Sequence, residues 1–170
     1  MSRYRPPVPK SSPYITPQGF ATLNLELKSL WVKRGEVTRA LSAAAAEGDR
    51  SENAEYIYRK KQLGEVDRRI RYLQKRIPDL KVVNQVADRS RVYFGATVEL
   101  ETREGELRHY RIVGADEIDS NQDKGYISLD SPLAKALLKK TVDDEVIVTI
   151  GQNITPYTIL AINYDSDSGI

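Results

Sequence analysis

Two acidic residues stand three positions apart in the segment Gly48-Asp49-Arg50-Ser51-Glu52, which lies between two long stretches of helical periodicity. Carboxylate oxygens are ligands that Mg²⁺ prefers, and in a two-metal site such oxygens can help to recruit a second ion. Two carboxylates are too few to hold Mg²⁺ alone, because this ion keeps several waters and is usually bound together with phosphate. Chemistry at Asp49 and Glu52 therefore requires a partner that supplies the remaining ligands.

Helix capping offers a second interpretation of the same two residues. The pattern Asp-x-x-Glu matches a capping box, and an acidic residue at a helix N-terminus is favourable without any catalytic role. On a starting helix, both carboxylates would project from the same turn. The spacing alone leaves both interpretations open.

Two apolar stripes flank the acidic pair and predict the elements that position it. The first stripe follows a heptad pattern through Phe20, Leu23, Leu27, Leu30, Val37, Leu41 and Ala44, with Arg34 in its one polar slot. The second runs through Tyr56, Leu63, Val66, Ile70, Leu73 and Ile77. Pro17 is typical of a first helical position, and Pro78 ends the second helix. The short connection predicts an antiparallel hairpin over residues 14–80, about 45 Å long, with an acidic tip at 48–55.

After residue 81 the apolar period changes to two, which predicts strands. The predicted strands are Val92–Leu100, Leu107–Val113, Tyr126–Leu129, Val146–Ile150 and Tyr157–Tyr164, with one short helix over Pro132–Lys140. The expected fold class is α+β: a long antiparallel α-helical coiled-coil hairpin, followed over 81–164 by an antiparallel sheet packed on one short helix. Residues 1–13 are expected to form a disordered, proline-rich tail, and residues 165–170 a C-terminal tail.

Composition limits the cellular setting and the oligomeric state. The chain has 170 residues, 40% of them hydrophobic and 29% charged, with no cysteine. The absence of cysteine excludes disulfides and thiolate metal sites and favours a reducing compartment. No apolar run approaches the roughly 20 residues needed to span a bilayer. We therefore predict a cytoplasmic protein without membrane contact, and a monomer, since an intramolecular hairpin needs no second chain.

Charge is distributed unevenly along the chain. Residues 59–76 contain eight basic residues against Glu65 and Asp67, whereas no Lys or Arg follows Lys140. On a helix, Lys61, Arg68, Arg71 and Lys75 share the face opposite the apolar stripe, which indicates contact with nucleic acid or phosphate. An ordinary solvated face is the alternative. The sequence contains no Gly-rich phosphate loop, metal-ligand cluster or nucleophile motif, so an independent enzyme is not predicted.

The residues of the tip also carry a family resemblance. The run Gly48 to Tyr56 resembles the signature of the bacterial Gre transcript cleavage factors. Five further segments are similar to the GreB branch of that family: residues 58–61, 67–73, 92–96, 111–118 and 127–140. The likeness covers roughly Tyr14 to Tyr164, which is nearly the whole chain.

This resemblance implies a function in transcription. The domain after the hairpin would have an FKBP-like fold and dock on the rim of the secondary channel of bacterial RNA polymerase. The hairpin would enter the channel and place the catalytic residues Asp49 and Glu52 beside the polymerase's Mg²⁺, where they would help to hold a second Mg²⁺ and an attacking water. The polymerase would then cleave the 3′ end of the nascent RNA in backtracked complexes. The protein would stimulate hydrolysis rather than perform it, and the isolated protein would bind no metal.

The resemblance assigns further residues by position. Asp130, Ser131 and Pro132 match the polymerase-docking segment of the family, and Asn53 and Tyr56 flank the acidic pair. The matches to the RNA-facing basic patch are Lys60, Lys61, Arg68, Arg69 and Arg71. Gly64 and Gln62 stand where relatives tend to carry basic residues, so the patch is expected to be thinner here.

Two other functions stay open at this stage. The first is a secondary-channel inhibitor of RNA polymerase on the same scaffold, although the ordinary Asp-Arg-Ser-Glu tip speaks against it. The second is a prolyl isomerase, which only the expected FKBP-like fold suggests. It is disfavoured because, besides tyrosines, the chain has just Phe20, Phe94 and Trp31 as aromatic residues, and two of these lie in the hairpin.

Overall fold

The structure is a computed structural model that describes residues 10–49, 52–118 and 125–164. It divides into two compact units, a helical unit over Gln18–Leu80 and a sheet unit that combines the chain before Gln18 with the chain from Lys81 onward. Residues 1–9 of the tail predicted over 1–13, and the predicted C-terminal tail at 165–170, lie outside the described residues. In the ranges that are described, no helix is long and apolar enough to cross a membrane.

The helical unit is an antiparallel hairpin of two helices. Helix α1 is Pro17–Ala46 and helix α2 is Ala54–Arg76, followed by a 3-10 turn over Ile77–Asp79. The two helices are connected at both ends of the hairpin. Arg69 of α2 forms a two-pronged ion pair with Glu26 near the start of α1, at 2.6 and 2.9 Å, while the turn joins their other ends. The predicted hairpin is therefore confirmed.

The predicted apolar stripes form the contact between the helices. Three members of each stripe are buried, namely Leu23, Val37 and Ala44 on α1 and Val66, Ile70 and Leu73 on α2. The polar slot is filled by an ion pair between the helices, because Arg34 Nε lies 2.7 Å from Asp67 Oδ1. Both partners are partly exposed, so the pair contributes little to the free energy of folding but favours one alignment of the helices.

The position of Trp31 differs from the prediction. Its position beside the first apolar stripe predicts burial at the base of the hairpin, but this side chain is 47% exposed on α1. Its ring packs beside Arg34, whose guanidinium carbon lies 5.9 Å from the ring centroid. Because Trp31 stands beside the stripe rather than in it, a cation–π contact at the surface takes the place of burial.

Gly64 gives a first testable prediction. It lies inside α2, and a Cβ built on it would meet no atom within 4 Å. Gly64→Ala should therefore raise the free energy of unfolding by about 1 kcal/mol, because alanine loses less backbone entropy in a helix. Urea unfolding followed by circular dichroism measures this change. Gly35→Ala on α1 has equally open space and should act in the same direction. A less stable Gly64→Ala variant would contradict the prediction.

The sheet unit contains a five-stranded sheet, a two-stranded sheet and one short helix. The small sheet pairs β1 (Tyr14–Ile15) with β2 (Lys81–Val82) in parallel. The large sheet has the order β5-β4-β3-β7-β6. Its strands are β3 (Thr97–Thr102), β4 (Leu107–Val113), β5 (Tyr126–Ser128), β6 (Glu145–Ile150) and β7 (Asn153–Asn163), and helix α3 is Pro132–Leu137.

The core of the sheet unit lies between one face of the large sheet and α3. Its buried members alternate along the strands, as expected when one sheet face is covered. They are Val92, Phe94, Ala96, Val98, Leu100, Ile112, Ala134, Leu137, Val146 and Ile159. The α+β class is confirmed, with the helical hairpin first and a sheet packed on one short helix second.

Three details of the sheet unit differ from the prediction. The sheet is mixed rather than antiparallel, because β5 runs parallel to β4. Residues 114–125 explain this, since they provide the connection of about a dozen residues that a parallel pair requires. The predicted strand over Val92–Leu100 begins only at Thr97, and Ala96 N donates to Tyr93 O in a turn before it. Helix α3 ends at Leu137 because Lys139 takes a positive φ of 68°.

The segment before α1 also differs from the prediction, because it is part of the sheet unit. We call residues 12–16 the N-terminal strap. Lys81 N donates to Pro13 O at 2.8 Å, and Val83 N donates to Ile15 O at 2.9 Å. Ile15 is completely buried, and Thr16 donates from both its N and its Oγ1 to Glu117. These anchors explain why the residues adjoining α1 belong to the sheet unit instead of a tail or the hairpin.

Tyr164 gives a prediction for alkaline pH. Its hydroxyl accepts a hydrogen bond from Tyr93 N at 2.8 Å and donates one to Arg91 O at 2.5 Å. Burial raises the pKa of this phenol, because the phenolate would lose solvation. The neutral form is thus favoured in the folded state, so its stabilisation is present below the pKa of an unfolded tyrosine and is lost as the pH rises through the raised value.

Tyr164→Phe should lower the free energy of unfolding by about 1 kcal/mol at neutral pH, because it leaves Tyr93 N without this acceptor. Above about pH 10, its stability should fall less steeply than that of the wild type. Urea unfolding over a series of pH values measures both effects. If the free energy of unfolding falls equally steeply with pH in the variant and the wild type, ionisation of Tyr164 is not linked to unfolding.

Candidate functional site

The acidic pair lies in the turn between the two helices. Helix α1 ends at Ala46, and α2 begins at Ala54. Gly48 has a φ of +142°, a conformation that residues with a Cβ rarely adopt, and it starts the reversal of the chain. Asp49 and Glu52 are both exposed to solvent, while residues 50 and 51 lie outside the described part of the chain.

The capping interpretation of the acidic pair is wrong. The N-cap of α2 is Asn53, whose side chain accepts from Tyr56 N at 3.1 Å and whose backbone is extended. Asp49 and Glu52 therefore precede the helix and do not form its capping box, nor do they project from its first turn. The acid in that turn is Glu55, which pairs with Arg59 at 2.7 Å. Neither Asp49 nor Glu52 is thus the N-cap or the first-turn acid of α2.

Asn53 also connects the two helices. Its Nδ2 donates to Ala44 O at 2.8 Å, one of the carbonyls of the last turn of α1, which also accepts from Glu47 N at 3.2 Å. One amide side chain thus caps the start of α2 and satisfies the end of α1. We call this pair of bonds the Asn53 clamp. The sequence indicated Asn53 only as a neighbour of the acidic pair, although an Asn directly before a helical stripe is a recognisable N-cap signal.

The donor set at the turn fits a shared metal ion. In the described ranges, no three His, Cys, Asp or Glu side chains gather in a way that could hold a metal. Asp49 and Glu52 offer two hard oxygen ligands on an exposed turn. This is the number that Mg²⁺ commonly takes from a protein when phosphates and waters complete its shell. The turn suits an ion whose other ligands belong to a partner.

The basic residues of α2 divide into two groups. Lys60, Lys61, Arg68 and Arg71 are exposed on the face opposite the buried stripe. Arg69 is different, because both prongs of its guanidinium contact Glu26 and it also lies 5.3 Å from the ring centroid of Tyr72.

Two other residues of α2 limit the positive charge of its exposed basic face. Gln62 accepts from Arg59 at 3.1 Å, and Gly64 carries no side chain at the centre of the basic face. Neither residue adds positive charge to the surface that a polyanion would meet, in keeping with the thinner patch that the sequence suggested.

The predicted docking segment lies in the sheet unit, between β5 and α3. Ser131 is the N-cap of α3, accepting from Ala134 N at 3.2 Å, and Pro132 occupies the first helical turn with an exposed ring. Asp130 is half-buried and accepts from Ser12 of the N-terminal strap. The structure therefore gives each of the three residues a defined conformation. Tyr56 is half-buried at the start of α2, next to the Asn53 clamp.

Comparisons with known proteins identify the family to which the chain belongs. The family description "Transcription elongation factor, N-terminal" matches residues 13–82, and "Transcription elongation factor, GreA/GreB, C-term" matches residues 87–164. The chain is 57% identical to transcription elongation factor GreB of Xanthomonas axonopodis pv. citri, over 98% of this chain and 99% of that protein. It is 54% identical to transcription elongation factor GreB of Pseudomonas aeruginosa, over 96% and 98% of the two chains.

A solved structure, the prokaryotic transcription elongation factor GreA/GreB from Nitrosomonas europaea, is 18% identical with a TM-score of 0.40, covering 92% of this chain and all of that one. The two family descriptions together cover most of the chain, and the relatives match it over almost their full length. The chain belongs to the GreA/GreB family of transcription elongation factors.

Proposed function

We propose that this protein is a GreB-type elongation factor that enters the secondary channel of bacterial RNA polymerase. There it stimulates the polymerase's own endonucleolytic cleavage of backtracked RNA 3′ ends and so rescues arrested complexes. The observation that carries the proposal is the exposure of Asp49 and Glu52 on a turn held by the Asn53 clamp, where capping does not explain them. We place its action in the bacterial cytoplasm, as a monomer.

Asp49 and Glu52 are the catalytic pair in this proposal. They would hold Mg²⁺ jointly with the polymerase, and when bound this ion polarises phosphoryl oxygens and lowers the pKa of a coordinated water. The chain itself contributes the two negative charges and their position. The Asn53 clamp reduces the freedom of the turn before binding, so less entropy is lost when the carboxylates meet the polymerase site.

The exposed bases of α2 would contact the backbone of the extruded transcript. Lys60, Lys61, Arg68 and Arg71 present four positive charges without any base-reading geometry, which suits binding to phosphates irrespective of sequence. Arg69 would contribute less, because Glu26 already neutralises it. The segment Asp130–Pro132 would dock on the polymerase through a half-buried carboxylate and an exposed proline ring.

A cleavage assay on a backtracked elongation complex tests the proposal. The RNA carries a 3′-terminal label, and the complex is incubated with Mg²⁺ in the presence and absence of the protein. We expect short labelled 3′ fragments and resumed elongation when the protein is added, and no cleavage when the protein meets free RNA and Mg²⁺ alone. RNA cleavage by the protein alone would overturn the proposal. Slower nucleotide incorporation without fragments would instead identify a secondary-channel inhibitor.

A further inference from the structure

The N-terminal strap holds the predicted docking residue Asp130 from the opposite end of the sequence. Ser12 N donates to Asp130 Oδ2 at 2.9 Å, and Ser12 Oγ donates to Asp130 Oδ1. Both carboxylate oxygens thus accept from a single residue that lies 118 positions away in the chain. Hydrogen bonds to an ionised carboxylate are shorter and stronger than those between neutral groups, and two of them fix its plane as well as its position.

The strap presents Ser12 from an anchored backbone. The next residues pair with β2, Ile15 is completely buried, and Thr16 is bound to Glu117. Gly114 packs so closely that a Cβ on it would lie 2.2 Å from Tyr14 O. Because residues 13–16 are fixed in this way, the backbone also restricts the position of Ser12 relative to Asp130.

The rest of the docking segment is also held. Asp130 N donates to Ser128 Oγ at 3.1 Å, and the cap on α3 fixes Ser131 and Pro132. The two hydrogen bonds from Ser12 therefore orient the Asp130 carboxylate within a segment whose backbone is itself held.

We propose that Ser12 is a positioning residue for polymerase docking, which sets the side-chain conformation of Asp130 before the polymerase is met. This inference rests on the proposed function and adds Ser12 to the residues that support docking. Ordering a free side chain on binding weakens association, so loss of the Ser12 hydroxyl should weaken the affinity for polymerase by about 5- to 10-fold. The cleavage rate at saturating factor should stay the same, because Ser12 does not belong to the acidic tip.

The experiment measures cleavage of backtracked complexes as a function of factor concentration, with full-length proteins. Ser12→Ala should raise the half-saturating concentration about 5- to 10-fold, and Ser12→Thr, which keeps the hydroxyl, should restore it. Thr16→Val is the matched control. It removes a hydroxyl bond from the same strap but leaves Asp130 untouched, so it should lower the melting temperature without changing the half-saturating concentration.

A double substitution tests whether Ser12 acts through Asp130. In the Asp130→Ala background, Ser12→Ala should cause no further change in the half-saturating concentration. Failure of the wild type to stimulate cleavage would remove the proposed function itself. If the wild type is active, three results would each overturn the positioning role: an unchanged half-saturating concentration for Ser12→Ala, an equal effect in both backgrounds, or an equal effect from Thr16→Val.

Discussion

Asp49→Asn is expected to reduce factor-stimulated RNA cleavage by about 100-fold or more while polymerase binding stays intact. The substitution removes one negative charge and one strong metal ligand but keeps the size of the side chain. A loss of about 3 kcal/mol in transition-state stabilisation corresponds to two orders of magnitude in rate. Binding should persist, because Asp49 is not the N-cap of α2 and the predicted docking residues Asp130–Pro132 lie in the sheet unit. Single-turnover cleavage at saturating factor, together with a competition binding assay, measures the two properties separately.

The control for this prediction is Glu47→Gln, which neutralises another exposed acid at the end of α1. It should leave the cleavage rate within about twofold of the wild type, since a single exposed charge of this kind contributes little. Glu52→Gln should match Asp49→Asn, and the double variant should be no worse than either, because residues that act as a unit are not additive. A cleavage rate for Asp49→Asn close to that of the wild type would refute the shared-metal role.

Asn53→Ala should have the second largest effect, with cleavage falling about 10- to 100-fold and polymerase binding unchanged. The variant loses the N-cap of α2 and the bond to Ala44 O, so the turn that carries the carboxylates is no longer tied to both helices. Displacement of reacting groups by about 1 Å can cost about 100-fold in rate. The free energy of unfolding should fall by about 1 kcal/mol, as is typical for loss of an N-cap.

Two further substitutions separate the two functions of Asn53. Asn53→Ser keeps the capping acceptor but cannot reach across as the amide does. Asn53→Asp also keeps the acceptor, but it sets a negative charge against the carbonyl end of α1, where the helix dipole is unfavourable. Both variants should retain most of the stability and lose cleavage, Asn53→Asp more than Asn53→Ser. Wild-type cleavage by Asn53→Ser, measured beside thermal unfolding, would show that capping alone suffices.

Much of the fold follows from periodicity in the sequence. The stripe positions are buried or half-buried as the heptad pattern predicted, and Arg34 in its polar slot finds Asp67 on the facing helix. The pattern succeeds because a helix that buries one face must repeat its apolar residues every three or four positions. The prediction for Trp31 was wrong because a position beside the stripe suggested burial, whereas the side chain lies largely in solvent.

The remaining features depend on choices that local patterns do not decide. Several residues near the turn are good N-caps, and only the structure shows that Asn53 is selected because its amide can also donate to α1. The contact of Ser12 with Asp130 joins residues from opposite ends of the chain and leaves no local signature. The parallel direction of β5 depends on where a long connection returns to the sheet.

Because of the Asn53 clamp, the segment between Ala44 and Asn53 can be exchanged as a unit. The Asn53 side chain forms hydrogen bonds at both ends of this segment, so the residues between them can be replaced together without altering the register of α1 and α2. Evolution can therefore vary the charge and number of the acidic groups independently of the hairpin that delivers them. The same property gives protein engineers a fixed attachment site at which the turn can be replaced by other sequences.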